Sequence, residues 1–289
     1  MWANEVFGGV LNIMRQCRLV RSLGAEAVLA TETGTDTYGR FGIGSLEYVA
    51  WSRRRPDDFC VIPDLYSSLA NDVRGRVAVF LQHPLLVRAN FDHLRPEVQL
   101  WVCSPLMAQR SRTILGGVEP TFVPPIVDPA VFPYIDQQQR RRGQLMASPR
   151  KNARDFIRAT YDRYRHEGGR YWELDPVERL PFCEYAEFCR TPQALLPATD
   201  VEGLALPPLE AMAAGIVVAG KNAGGASFYM RDRETALVAN SVGEAAAALR
   251  EIEAPDLRQR LSETAYASVR EFFPDAAPRR FWEGFLGSE

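Results

Sequence analysis

Short apolar runs alternate with helix-like stretches through the second half of this chain, and this alternation constrains the fold more than any other feature. Apolar runs at 144–147, 194–198 and 216–220 have the length of buried strands, and helical spacing is clear at 242–251 and 255–272. Further strands are predicted at 171–174 and 236–239, and further helices around Phe156 to Tyr161 and at 184–189. Strands that are regularly followed by helices are typical of a parallel sheet covered on both faces. We therefore predict an α/β fold.

The first half repeats this rhythm with a weaker signal. Helical spacing follows Gly8-Gly9 and continues to Leu23. Strands are predicted at 26–32, 59–62, 77–81 and 100–103. Seven residues precede the glycine pair and form no clear apolar run, so the sequence does not establish a first strand there.

A proline-rich stretch separates the two halves. Five prolines between 120 and 133 exclude a helix and predict a strand followed by an interdomain connector. The polar QQQRRRG stretch comes next, with its three arginines at 140–142 read as a solvated linker, and we place the boundary near residue 135. The predicted domains are 1–135, a short N-terminal domain, and 136–273, each a Rossmann-like doubly wound unit, facing each other across a cleft.

The tail at 274–289 is predicted to be a C-terminal helix that docks back onto an apolar surface. Phe281, Trp282 and Phe285 share one helical face, as core or docking side chains do. The sequence leaves open whether this face contacts the first domain or a second subunit, and therefore leaves a homo-oligomer open.

The bulk composition excludes several classes of partner. A net charge of −2 gives no electrostatic case for nucleic acid or for a strongly anionic membrane surface. Five scattered cysteines lack metal-ligand spacing, which favours reduced thiols and no bound metal.

No apolar run approaches the ~20 residues of a membrane span, and the N-terminus lacks the shape of a signal peptide. We predict a cytoplasmic protein and leave open a peripheral association with a membrane through a partner or substrate.

Several loops that follow predicted strands carry groups suited to a ligand with phosphates and hydroxyls. Ligands of open α/β sheets bind beyond the carboxyl ends of the strands. Glu202 follows the strand at 194–198, and Arg150 and Lys151 follow the strand at 144–147. Backbone amides from Gly203 to Leu206 lead into a helix N-terminus, which favours anions. Gly8-Gly9 and Gly224-Gly225 permit close backbone approach to a ligand.

Each of these features also has a purely structural interpretation. An Arg-Lys pair at a helix start is commonly a solvated surface, and Gly-Gly pairs are commonly turns. Glu210 suits the first turn of a helix that begins at Pro207-Pro208. His83, in FLQHP after the strand at 77–81, is equally well explained as a hydrogen-bonded loop histidine.

The stretch EGLALPPLEAMAAG at 202–215 joins these features in one motif. It resembles the Glu-x7-Glu motif of retaining glycosyltransferases with the GT-B fold, in particular glycosyltransferase family four, whose typical form is EGFGLPPLEAMACG. Ala205 stands where that family usually has glycine. The stretches EYAEFCRTPQALLPATD, GIVVAGKNAGGASFYMRD, SPRKN and FVPPIVDPAVF resemble the family's surrounding segments. The resemblance covers about 144–251 well and the first half more loosely.

The resemblance implies roles for individual residues. Glu210 would bind the ribose hydroxyls of a nucleoside diphosphate sugar, and Glu202 would hold hydroxyls of the transferred sugar. Arg150 and Lys151 would neutralise the departing diphosphate, and His83 would lie near the donor sugar and acceptor. Such leaving-group stabilisation does the work that a metal does elsewhere, so neither a metal nor a cofactor is implied. The implied donor-binding set is Gly8, Gly9, Arg150, Lys151, Gly203, Leu204, Ala205, Leu206 and Glu210.

The sequence leaves three hypotheses for the function of this protein. The leading hypothesis is a metal-independent glycosyltransferase of carbohydrate biosynthesis that moves a sugar from a nucleotide sugar donor to a carbohydrate, lipid-linked or small-molecule acceptor, with retention of anomeric configuration. The alternative is a non-catalytic nucleotide-sugar-binding partner subunit with a reduced acceptor domain. A nucleotide-sugar epimerase would need further carboxylates and histidines that the sequence does not identify. The donor base, the sugar and the acceptor are not fixed by the sequence.

Overall fold

The computed structural model describes residues 8–35, 46–87, 93–149, 153–178, 180–274 and 276–287. Contacts divide the chain into two compact units. Unit 1 comprises Met1–Ile126 together with Ala276–Glu289, and unit 2 comprises Val127–Asp275.

Helices and strands alternate along the described chain. The strands are β1 (Leu29–Thr31), β2 (Tyr48–Ala50), β3 (Cys60–Pro63), β4 (Val77–Leu81), β5 (Gln99–Val102), β6 (Thr121–Phe122), β7 (Arg141–Ala147), β8 (Glu173–Pro176), β9 (Pro192–Leu196), β10 (Val217–Gly220) and β11 (Leu237–Val238). The helices are α1 (Gly8–Ser22), α2 (Pro105–Ile114), α3 (Ala153–His166), α4 (Phe182–Phe188), α5 (Leu206–Ala214), α6 (Val242–Glu251), α7 (Pro255–Phe272) and α8 (Ala276–Gly287). Short 3₁₀ helices lie at Trp51–Arg53, Asp64–Asp72 and Gln137–Gln139.

Unit 1 is built on a parallel sheet with the order β3-β4-β5-β6. Its central strand β4 is buried along its whole length, as expected for a parallel strand covered on both faces. Strands β1 and β2 form a separate parallel pair. The strand predicted at 26–32 is therefore confirmed only over three residues. The residues that precede Gly8 lie outside the described part of the chain.

Helix α8 packs inside unit 1 around the buried Trp101 of β5. The ring centroids of Phe281, Trp282 and Phe285 lie 5.6, 5.6 and 5.5 Å from that of Trp101. The Trp282 Nε1–H group donates to Gln16 Oε1 of α1 at 2.6 Å. The aromatic face of the tail is thus core of the unit to which the first part of the chain belongs.

Unit 2 contains a five-stranded parallel sheet with the order β8-β7-β9-β10-β11. From β7 the chain first adds β8 on one side of this strand. It then returns to add β9, β10 and β11 in order on the other side, so the strand order reverses between β7 and β9. Helices α3, α6 and α7 contribute to a core around Leu145, Leu196 and Val217. The predicted alternation of strands and helices in this half is confirmed, and α6 and α7 have the predicted bounds.

The polar segment after the connector is part of unit 2 rather than a linker. Gln137 Nε2 donates to the carbonyl oxygens of Gln193 and Gly215, at 3.1 and 2.7 Å. Arg140 is buried and donates to backbone carbonyls, and burial lowers its pKa to about 10. Those carbonyls belong to Cys189, Pro192 and Ala214. The prediction of a solvated linker is wrong for Arg140, while Arg141 and Arg142 are exposed. The units separate after Ile126, and the connector residues Phe132 and Tyr134 pack against Phe182 and Tyr266 of unit 2.

Candidate functional site

The candidate site of unit 2 lies where the strand order reverses, at the carboxyl ends of β7 and β9. Ala147 pairs with Leu196, so the segments that follow the two strands leave the sheet side by side. In open α/β sheets this reversal is where ligands bind. Glu202 belongs to the segment after β9. Arg150 and Lys151 belong to the segment after β7, and both lie outside the described residues.

Glu202 is anchored through its backbone to the loop that follows β10. Its N–H donates to the carbonyl oxygen of Ala223 at 2.9 Å, and it forms an isolated parallel bridge with Gly224. A Cβ atom on Gly225 would lie 2.3 Å from the Glu202 carbonyl oxygen. The Gly224-Gly225 pair was predicted to permit approach to a ligand, but in the described residues Gly225 permits approach of the Glu202 backbone.

The amides before α5 are oriented by the buried hydroxyl of Tyr229. That hydroxyl donates to the carbonyl oxygens of Leu204 and Ala205, at 2.9 and 2.5 Å. Since C=O and N–H point in opposite directions in a trans peptide, the N–H groups of Ala205 and Leu206 point away from Tyr229. Pro207 and Pro208 then start the helix. The N–H groups of Ala205 and Leu206 and the N-terminus of α5 thus lie together on the side away from Tyr229, and this group of donors suits an anionic ligand.

Glu202 and Glu210 both act electrostatically on Tyr229. Burial is the main cause that raises the pKa of Tyr229 well above its ordinary value, and the charges of Glu202 and then Glu210 add to it. Glu210 itself is only 2% exposed. Burial raises the pKa of the Cys189 thiol to about 12, and the negative charge of Glu210 acts in the same direction. The structure thus brings the two predicted glutamates around one tyrosine, a residue that no sequence pattern had singled out.

In unit 1, the predicted His83 lies in the loop after β4, where a buried carboxylate holds the backbone. Asp64 Oδ2 accepts from the N–H groups of Gln82 and His83, at 2.8 and 2.7 Å, and Oδ1 accepts from the Leu65 N–H at 2.9 Å. Burial raises the pKa of Asp64, and these three N–H donors act in the opposite direction. No pattern in the sequence pointed to Asp64, which lies two positions after the strand predicted at 59–62 and directly after the observed β3.

The Gly8-Gly9 pair, predicted to form a phosphate-approaching loop, is the beginning of α1. A Cβ atom on Gly9 would lie 2.9 Å from Gln82 Nε2, so glycine lets the Gln82 side chain lie against the helix. Gln82 therefore connects Gly9 with His83 within unit 1. Its side chain lies against Gly9, and its backbone N–H donates to the same Asp64 oxygen as the N–H of His83.

In the described ranges no group of three His, Cys, Asp or Glu side chains comes together as metal ligands would. No helix in those ranges combines the length and the apolar character that crossing a membrane requires.

Comparison with known proteins agrees with the geometry. Residues 190–268 match the family model described as glycosyl transferases group 1. A search of curated proteins found no match. Among solved structures, sucrose-phosphate synthase from Thermosynechococcus elongatus is similar with a TM-score of 0.72 at 12% identity, over 98% of this chain and 95% of that one. WaaG, a glycosyltransferase involved in lipopolysaccharide biosynthesis, has a TM-score of 0.63 at 13% identity, over 98% and 97% of the two chains.

A mutant of S. aureus TarM, in complex with fondaparinux, alpha-GlcNAc-glycerol and UDP, has a TM-score of 0.61 at 8% identity. The match covers 74% of this chain and 51% of TarM, so it spans about half the length of that protein. These likenesses confirm the predicted fold class, an α/β chain of GT-B type with two Rossmann-like units.

Proposed function

We propose that this protein is a glycosyltransferase that moves a sugar from a nucleoside diphosphate sugar to an acceptor hydroxyl with retention of anomeric configuration. The observation that carries the proposal is the arrangement around Tyr229. The Tyr229 hydroxyl holds the peptides whose N–H groups belong to Ala205 and Leu206, and the charges of Glu202 and Glu210 act on the same hydroxyl, at the reversal of the strand order. The family match over residues 190–268 includes all of them.

The chemistry of this arrangement suits a donor with a diphosphate between two polyols. The two amides and the start of α5 would stabilise the negative charge of the departing diphosphate. Glu210, on the helix itself, would accept hydrogen bonds from the ribose hydroxyls. Glu202, on the loop before the helix, would accept them from the transferred sugar. Arg150 and Lys151 would add positive charge, and His83 of unit 1 would act near the acceptor.

The first test is a thermal-shift panel of UDP, GDP, dTDP and ADP and their common sugar conjugates, without added metal. We expect one base to raise the melting temperature most, since the ribose and diphosphate groups are shared and the base is not. Release of nucleoside diphosphate from that donor should then be measured with water as the acceptor of the sugar, and EDTA should not abolish it. The anomeric configuration of the product, read by NMR, tests retention.

Two variants separate the roles of the glutamates. Glu210→Gln should weaken binding of the nucleoside diphosphate by about 1–3 kcal/mol, as expected when hydrogen bonds to a charged group are lost. Glu202→Gln should lower turnover more than nucleotide affinity, because it contacts the sugar. Glu173→Gln is the matched control. Glu173 is exposed and is the first residue of β8, so it lies at the amino ends of the strands, whereas the candidate site lies at their carboxyl ends. Wild-type behaviour of both site variants would refute the assignment, and binding without turnover in the parent would favour a partner subunit.

A further inference from the structure

Lysine is rare in this chain, and one of its lysines lies at the edge of the candidate site. The chain contains 34 Lys and Arg residues, and only Lys151 and Lys221 are lysines. Lys151 belongs to the segment after β7, and Lys221 directly follows β10. Both lysines therefore follow strands at the carboxyl edge of the sheet in unit 2. Because lysine and arginine are not interchangeable in confined sites, the use of lysine at these positions calls for a structural reason.

Lys221 is held by an ion pair and an aromatic ring. Its Nζ atom lies 2.5 Å from Asp200 Oδ1 and 4.1 Å from the ring centroid of Phe156. The Lys221 side chain is 16% exposed, whereas that of Asp200 is 65% exposed. A compact ammonium fits between a carboxylate and a ring face, and partial burial strengthens both interactions relative to a surface ion pair.

These contacts connect three elements of the site. Asp200 precedes Glu202 by two positions in the loop after β9. Phe156 belongs to α3, which begins directly after the segment that carries Arg150 and Lys151. Lys221 itself starts the loop whose Ala223 carbonyl accepts the Glu202 N–H.

The ion pair lies between two backbone contacts of the same pair of loops. The Lys221 N–H donates to the Pro197 carbonyl oxygen at 2.9 Å, and the Glu202 N–H donates to that of Ala223 at 2.9 Å. Asp200 lies between Pro197 and Glu202 in the chain. The Lys221–Asp200 pair therefore fastens the loop of Glu202 midway between its two backbone attachments.

We propose that Lys221 is a positioning residue, which fixes Glu202 by joining the loops after β9 and β10 and the start of α3. This inference rests on the proposed function, in which Glu202 contacts the transferred sugar. Lys221 acts through Asp200 and Phe156, and removing its ammonium releases the segment between Pro197 and Glu202. The expected defect is in the geometry of sugar transfer rather than in recognition of the nucleotide.

The first experiment follows amide hydrogen exchange in the full chain without ligand. Lys221→Met should speed exchange of the Glu202 amide about fivefold or more, since it loosens the loop locally. Asp200→Asn should do the same, while exchange in α6 stays unchanged. Arg158→Met is the control, because Arg158 is 84% exposed on the same helix as Phe156 and loses an ion pair with Asp162. Equal exchange of the Glu202 amide in parent and site variants would overturn the proposal.

The second experiment uses UDP and UDP-glucose, or the equivalent pair for the base that the thermal-shift panel selects. We expect Lys221→Met to bind UDP within about twofold of the parent and to release UDP from UDP-glucose about tenfold more slowly. A loss of UDP affinity as large as the loss of turnover, or no loss of either, would overturn the positioning role. A parent protein that binds no nucleotide sugar would refute the proposed function, and the exchange experiment would still decide whether Lys221 fixes the loop.

Discussion

Among single residues, Ala205 shows the clearest conflict between side chain and backbone. Its φ of 61° and ψ of 74° lie in the left-handed region, which disfavours residues with a Cβ atom. The two hydrogen bonds from Tyr229 to the carbonyls on either side of this residue hold it there. A left-handed conformation is thus held here in a residue with a Cβ atom, at a cost in free energy, and strained residues of this kind cluster at functional sites.

Replacing Ala205 by glycine tests this strain. Ala205→Gly should raise the free energy of unfolding of unit 2 by about 1 kcal/mol, because the left-handed penalty disappears. The same substitution at Ala267, an exposed residue within α7, should lower it by about 0.5–1 kcal/mol through the flexibility of glycine. Urea unfolding of both variants provides the measurement. A loss of stability in both would show that Ala205 is not strained.

A second prediction concerns the buried carboxylate of unit 1. Asp64→Asn replaces an acceptor oxygen with a donor group against three backbone N–H groups, and should destabilise unit 1 by about 1–3 kcal/mol. It should also shift the NMR signals of the His83 ring, since the His83 amide loses its partner. Asp57→Asn is the control, since Asp57 is 85% exposed. Unchanged His83 signals in Asp64→Asn would show that Asp64 does not hold this loop.

The sequence pattern points to Glu202 and Glu210 but not to Tyr229. Glu202 and Glu210 flank a prolyl helix start, which is a local pattern. Tyr229 reaches the same place from nearly twenty positions further along the chain, within a stretch whose periodicity marks no strand or helix end. Its importance comes from a tertiary contact, and no local rule contains that information. Asp64 is an intermediate case, because its position two residues after a predicted strand was available.

At the scale of elements, the site depends on how closely two loops approach. The loops after β9 and β10 touch where Gly225 lies against the backbone of Glu202 and Gly203. Both sides of the contact are main chain, so no side-chain rotation can make room for an added methyl group. The orientation of the Glu202 loop is therefore set by the absence of a side chain at Gly225.

Gly225→Ala tests this contact. The added Cβ atom would lie 2.3 Å from the Glu202 carbonyl oxygen, so the loops must separate. We expect a loss of about 1–3 kcal/mol in stability, typical of overpacking, and weaker binding of the nucleotide sugar. Gly284→Ala in α8 is the matched control, since its Cβ atom would meet nothing within 4 Å and should stabilise the helix slightly. Full donor affinity in Gly225→Ala would contradict the account.

Element bounds were predictable where local chemistry is strong. Helix α6 begins at a capping box in which Ser241 and Glu244 bond each other's backbone N–H groups, and its bounds match the prediction. Helix α1 differs, because the sequence suggested a glycine loop and the chain instead continues a helix through Gly9. The side chain of Gln82 packs against Gly9, so glycine at this position serves a contact between residues far apart in the chain rather than a loop.

At the scale of the whole molecule, α8 completes the core of unit 1 although unit 2 precedes it in the chain. Trp282 is 6% exposed and packs on Trp101. Trp282→Ala should destabilise unit 1 by about 3–5 kcal/mol, the usual cost of removing a buried aromatic side chain. Arg280→Ala, on the exposed side of the same helix, should change stability little.

Two buried thiols report separately on the units. Cys103 follows β5 in unit 1, and Cys189 lies in unit 2, where burial raises its pKa to about 12. In Trp282→Ala we expect Cys103 to react faster with a thiol reagent while Cys189 keeps its parental rate. Equal acceleration at both cysteines would mean that the units do not open separately.

The environment of the polar segment after the connector was the least predictable property at this scale. The polar run at 137–140 resembles a linker in composition, and only the structure shows Gln137 and Arg140 satisfying buried carbonyls of unit 2. Composition reports the average environment of a segment, whereas the packing of 137–140 depends on where a few side chains point.

The place of α8 has a consequence for synthesis. A ribosome delivers Trp101 early, but the rings of Phe281, Trp282 and Phe285 that surround it are made only after all of unit 2. The nascent chain can therefore bury the core of its second unit while the first still exposes an aromatic surface. Chaperones that bind such surfaces should engage the N-terminal part of the chain until its last helix leaves the exit tunnel, the reverse of the usual order in which the first domain made is the first to fold.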